Sequence, residues 1–170
     1  IFVNSIANQI TSESEMTELE QKYGSYLNRL VIEMTEEEQQ VDEITHRKQA
    51  FIRKWGGELA LDDFGVGYNS ESLLLSLAPN YIKIDRIIIS DIDKDDSRLQ
   101  ILCNLVSYAK EQGIKVIAEG VENRREMEVL IRHDVDYLQG FYLGYPTEGL
   151  AAVPEQIVQE IREARQGMEE

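Results

Sequence analysis

The chain has 170 residues, 42% hydrophobic and 29% charged, enough for one domain with a real core. Its 32 acidic residues against 17 basic ones leave a net charge of −15, which argues against a general binder of DNA, RNA or anionic membranes, because these need a basic footprint. One cysteine, Cys103, excludes an internal disulfide and fits a reducing, cytoplasmic setting, and no apolar run reaches the roughly 18 to 20 residues of a membrane span.

In chain order, Ile1 to Asn4 forms a short apolar strand. No initiator Met precedes it, so the chain is expected to be a piece of a longer protein. "SESEMTELEQKYGSYLN" reads as a helix and its exit, and "RLVIEM" (Arg29 to Met34) as the second strand. "TEEEQQVDEITHRKQAFIRKWGG" has an acidic first turn, a basic last turn and closing glycines, the order that suits a helix dipole. "ELALD" is the third strand, and "SESLLLSLAP" a short helix ending at Pro79. "YIKID" is the fourth strand, followed by the helix "DDSRLQILCNLVSYAKEQG" with Leu, Ile and Val at helical spacing. "IKVIAEG" is the fifth strand, and "NRREMEVLIRHD" a helix whose Asn123 cap has Glu126 three positions on. "VDYLQG" is the sixth strand, "FYLGYP" its loop, and "AVPEQIVQEIREARQGMEE" a terminal helix that frays into charge.

Short apolar strands each followed by a helix point to a parallel sheet of βαβ units, hence to the α/β class. About six such units with no central break suit a TIM-like (β/α)8 barrel lacking two N-terminal strands. An open doubly wound sheet is the alternative, but no Gly-x-Gly-x-x-Gly turn follows the first strand.

In such barrels the chemistry sits at the C-terminal strand ends. Here those ends carry Asn4, then Glu33 with Glu36, Asp62 and Asp63, Lys83 and Asp85, Glu119 and Glu122, and Gln139. A single polar strand end says little, since strand ends are solvated. Six together, nearly all amide or carboxylate, would repel strongly at one mouth unless cations sat among them. The oxygen-only set suits Mg²⁺ or Mn²⁺ rather than zinc. Lys83 and Asp85 alternate against Ile82 and Ile84, which puts the polar pair on one face. Adjacent Asp62 and Asp63 face opposite sides of a strand, so the chain must turn there for both to reach one site, and Gly65 and Gly67 allow the turn.

"VIEMTE", "LALDDFGVGYNS", "YIKIDR", "VIAEGVE" and "LQGFYLGYP", in this order from Asn4 to about Leu150, resemble the successive motifs of the EAL domain family. The resemblance implies a variant (β/α)8 barrel and a bacterial signalling phosphodiesterase that hydrolyses cyclic di-GMP to linear pGpG with two Mg²⁺ or Mn²⁺ ions. It implies Asn4, Glu33, Asp62 and Asp63 as metal ligands, with Asp62 bridging the two ions. Lys83 would sit beside the attacking water and the scissile phosphate; Glu119 would be a second-metal ligand or the general base. Glu122 would support that loop, Asp85 would share the site face, and Gln139 would contact water or substrate. Glu36 resembles the residue that steadies the DDFG loop, and reads equally as the acidic first turn of a helix. Residues 1–150 would be the phosphodiesterase domain without its N-terminal strands, and 151–170 its terminal helix and acidic tail.

The Glu-Ala-Leu motif that names the family, whose Glu ligates metal, is absent from this sequence. Open sheet edges in an incomplete barrel tend to pair, so a homodimer or swapped assembly is expected. Asn69 and Tyr145 also depart from the family pattern. A non-catalytic module binding cyclic di-GMP or a partner protein is the alternative function, although such members have usually lost the carboxylates or the lysine retained here. "DFG" without a His-Arg-Asp loop is no kinase motif. His46 and His133 read as surface residues, Cys103 as core, and "DIDKDD" as a solvated loop lacking the Gly and Glu of a calcium loop.

Overall fold

The computed structural model describes residues 1–6, 12–35, 43–65, 70–149 and 151–167. It divides into two compact units, Ile1–Ile82 and Lys83–Glu170. Glu36, Gly67 and Asn69 lie outside the described residues.

The first unit alternates strand and helix as expected. Strands β1 (Phe2–Asn4), β2 (Val31–Thr35) and β3 (Glu58–Phe64) lie side by side in chain order and pair in parallel, with Asn4 opposite Glu33 and Thr35 opposite Asp62. Helices α1 (Glu13–Tyr23) and α2 (Glu43–Trp55) make the crossovers that parallel pairing requires. Ser12 caps α1 in a full capping box with Glu15. Glu20 ties the two helices together, accepting from Trp55 Nε1 at 2.9 Å and from Lys54 Nζ at 2.6 Å.

β3 is a buried centre: Leu59, Ala60 and Leu61 are at most 5% exposed although they alternate in direction. Both faces are covered, which is why the strand reads as an unbroken apolar run. The strand continues past Asp62 to Phe64, two residues further than the sequence pattern implies. Its start is pinned by Asn80, whose amide donates to the Leu59 carbonyl at 2.8 Å while its Oδ1 accepts the Leu59 N–H at 2.9 Å. Helix α3 (Ser70–Leu77) stops before Pro79. An apolar cavity of about 730 Å³ lies between α1, α2 and the β1–β2 pair, lined by Ile1, Met16, Tyr23, Leu30, Phe51 and Trp55 among others.

Strand β4 (Tyr81–Ile84) enters the second unit at Lys83. There the amide of Glu119, just beyond β5 (Lys115–Ala118), donates to the Ile84 carbonyl at 3.0 Å, and β5 pairs in parallel with β6 (Tyr137–Leu138). β6 is two residues long where six are expected, because Asp136 uses its carboxylate on Lys115 Nζ and the Val116 amide instead of extending the ladder. Helix α4 (Arg86–Ile89) is absent from the sequence-based reading; one turn forms because Asp85 caps it, Oδ1 accepting the Ile87 N–H at 2.7 Å. Helices α5 (Asp96–Gln112), α6 (Arg124–Arg132) and α7 (Glu155–Gln166) match expectation. Leu102, Met127, Leu130, Val116 and Val121 are among the fully buried side chains at the centre of this unit, with Ile84, Ile89 and Ile92. Cys103 is half-buried rather than core, with its thiol 3.4 Å from His133 Nδ1, and His133 is likewise half-buried rather than on the open surface. No helix among the described residues is long and apolar enough to cross a membrane.

Candidate active site

In the first unit, register brings the polar strand ends onto one face. Asn4 pairs with Glu33 and Glu33 with Ala60. Asp62 lies two residues beyond Ala60, so by the period-two rule it shares the face of Glu33 and Asn4. Glu33 and Asp62 are each only 8% exposed, whereas Asn4 is exposed at the edge. Carboxylates seldom sink this far without positive charge close by.

Alternation alone would throw Asp63 to the opposite face. Its backbone φ of 56° puts it in the left-handed region, and Gly65 follows at φ 107°. The turn expected of the glycines therefore begins in the aspartate itself, a residue type that tolerates this conformation. The Asp63 amide donates to Asp62 Oδ1 at 3.1 Å. Carboxylate oxygens of the two residues come within 4.8 Å of each other, close enough to ligate one cation together.

In the second unit the centre is an ion pair. Lys83 Nζ stands 2.9 Å from Glu119 Oε1, with side chains 8% and 18% exposed. β4 and β5 place these groups at neighbouring strand ends. Glu122 is exposed and pairs with Arg86 at 3.0 Å. Asp85 spends its carboxylate on the α4 cap. Gln139 is exposed, but its backbone is fixed: its amide donates to the Ala118 carbonyl at 2.8 Å and its carbonyl accepts the Val121 N–H at 3.1 Å. The Tyr142 amide returns to the Val121 carbonyl at 3.1 Å, so the loops after β5 and β6 are zipped backbone to backbone.

Arg86, Glu126 and Tyr142 join this framework without having been read as site residues. For Arg86 the signal was its place directly after "YIKID"; for Glu126 it was the spacing from Asn123. Nothing in the letters around Tyr142 distinguishes it from its neighbour Phe141.

The family model of the EAL domain matches residues 1–146. The chain is 33% identical over 150 residues to the probable cyclic di-GMP phosphodiesterase PdeG of Escherichia coli K12, a match covering 86% of this chain and 30% of PdeG. It thus spans less than a third of that relative's length. A standalone EAL protein from Vibrio cholerae O395, solved with c-di-GMP bound, superposes with a TM-score of 0.79 at 30% identity, covering 91% of this chain and 68% of that one. Klebsiella pneumoniae BlrP1, solved as a manganese and cyclic di-GMP complex, gives a TM-score of 0.73 at 29% identity, covering 79% of this chain and 36% of that one. The fold class is that of the TIM-like (β/α)8 barrel, carried here as six βα units.

Proposed function

Because the chain belongs to the EAL domain family, we propose that it carries the hydrolytic centre of a cyclic di-GMP phosphodiesterase yielding linear pGpG. Asn4, Glu33, Asp62 and Asp63 are the groups that would hold Mg²⁺ or Mn²⁺. Their fit is chemical: an all-oxygen set with two buried carboxylates on one face of the β2–β3 pair, suited to hard divalent cations. Bound there, such ions supply charge neutralisation and acidify water. Glu36, outside the described residues, is assigned to support of the Asp62–Asp63 loop.

Lys83 sets a positive charge where a phosphodiester gains negative charge as it is attacked. Glu119 accepts the proton shed by the attacking water, and its 2.9 Å contact with Lys83 fixes which way its carboxylate points. Gln139 orients water or substrate from the β6 end. Glu122 and Asp85 act on the loops, through Arg86 and through the α4 cap.

The observation carrying this reading is the Lys83–Glu119 pair, which non-catalytic members of such a family would not need to keep. The test is to incubate the full-length protein with cyclic di-GMP and Mn²⁺ and to follow pGpG by chromatography. Cleavage is expected, with Glu119→Gln lowering kcat by about two orders of magnitude or more. Tight binding by the unaltered protein without turnover would replace this reading with that of a binding module.

A further inference from the structure

Glu126 is a carboxylate in the first turn of α6, a position that ordinarily faces water, yet it is 3% exposed. Its spacing from Asn123 predicts a reciprocal capping box. Half of the box is present, with Asn123 Oδ1 accepting the Glu126 N–H at 3.1 Å. The other half is redirected. Glu126 Oε2 accepts the amide of Glu122, one residue before the cap, at 2.8 Å, and Oε1 accepts the amide of Asp91, 35 residues away, at 3.0 Å.

These two amides belong to the two segments that leave the Lys83–Glu119 pair. Asp91 follows β4 and α4, downstream of Lys83; Glu122 follows β5, three residues after Glu119. One buried carboxylate therefore joins the segments at their far ends while the ion pair joins them at their near ends. Arg86 and Glu122 add an exposed link between the same two segments. Asp91 is held at φ 56°, a backbone state that is costly for a non-glycine residue unless its surroundings fix it. Its N–H pointing at Glu126 is one such constraint.

We propose that Glu126 is a positioning residue that braces the β5 loop against the turn after α4 and so sets Glu119 and Lys83 in register for the reaction. The proposal rests on the phosphodiesterase reading for its effect on turnover, but not for the brace itself. Misplacement of catalytic groups by about 1 Å can cost on the order of a hundredfold in rate, so the loss should fall on kcat rather than on substrate binding.

Two variants separate bracing from simple helix capping. Glu126→Asp keeps a carboxylate at the α6 N-terminus but is one methylene too short to span both amides. Glu126→Ala removes the acceptor altogether. In the full-length protein, Glu126→Asp is expected to stay folded, melting between the unaltered protein and Glu126→Ala, while losing at least fivefold in kcat, with KM within threefold. Exchange of the Asp91 and Glu122 amides, read by mass spectrometry or NMR, should accelerate at least tenfold in both variants. Unaltered kcat in Glu126→Asp overturns the proposal, as does a kcat loss with unchanged exchange at both amides. Should Glu126→Ala fail to fold, Glu126→Asp alone decides on the same criteria. If the unaltered protein does not cleave cyclic di-GMP, the functional reading falls by itself; accelerated exchange then upholds the brace and unchanged exchange removes it.

Discussion

A methyl group added at Gly140 would stand 2.2 Å from the Val121 carbonyl oxygen and 2.3 Å from its nitrogen. These are backbone atoms already committed to Gln139 and Tyr142, so they have no cheap retreat. Gly140→Ala should therefore cost about 1–3 kcal/mol in stability and unzip the loops after β5 and β6; urea melts and the activity assay would show both losses together. Lys83→Met leaves the Glu119 carboxylate beside an apolar side chain in a mostly buried place. Removing one partner of a buried pair is worse than removing both. Lys83→Met should thus unfold at lower urea than the double variant Lys83→Met with Glu119→Leu, and both are expected to lack activity. Equal midpoints would mean that replacing Glu119 relieves nothing once Lys83 is gone, and would overturn the prediction. Asp63 shows what residue-level reading misses: the need for a turn is visible in two adjacent aspartates, but φ 56° at the second of them is not.

At the level of elements, a buried carboxylate, Glu160, joins α7 to the loop after β6. Glu160 is 6% exposed; it accepts the Tyr142 hydroxyl in a short hydrogen bond and the Gln156 Nε2 at 2.9 Å, while Arg124 ties α6 to α7 through Glu163 at 3.0 Å. Burial, and then donation to Glu160, pushes the Tyr142 hydroxyl up to about 12. The hydrogen bond from Tyr142, and then that from Gln156, holds Glu160 below the ordinary carboxylate value of 4.5. The signs follow by linkage. Below the ordinary tyrosine value of 10.0, folded and unfolded chains both keep the Tyr142 proton, so its contribution is constant; between 10.0 and about 12 the unfolded chain loses it first and stability falls. For Glu160 the contribution is full above 4.5 and is lost as the pH drops through its lowered folded value. Tyr142→Phe should cost about 1 kcal/mol at neutral pH and flatten the alkaline decline, measurable by urea melts from pH 7 to 11.5; an identical alkaline slope would assign the decline elsewhere. Sequence patterning reaches the long helices because burial repeats along them at 3.6 residues, and the parallel strands because they are short apolar runs covered on both faces. It does not reach α4, whose four residues exist through one cap, or the contraction of β6, which depends on Asp136 turning back to β5.

Across the whole chain, the groups legible from sequence are those that crowd at strand ends in contiguous words, such as Asp62 and Asp63 or Glu119 and Glu122. The braces behind them are not legible, because their partners are backbone amides, which every residue has: Glu126 meets Asp91 and Glu122 through N–H groups that carry no letter of their own. Net charge is the other property set by the chain as a whole. The −15 carried by these 170 residues, with a dianionic cyclic dinucleotide as the proposed substrate, would set up a long-range repulsion that opposes encounter. Salt shortens that repulsion, the screening length falling from about 30 Å at 0.01 M to about 8 Å at 0.15 M. At fixed free Mn²⁺, kcat/KM for cyclic di-GMP should therefore rise severalfold between those ionic strengths, with kcat unchanged. A basic phosphate-binding protein would show the reverse. A fall in kcat/KM over this range would mean that the field at the site is positive enough to outweigh the rest of the molecule, and would overturn the prediction.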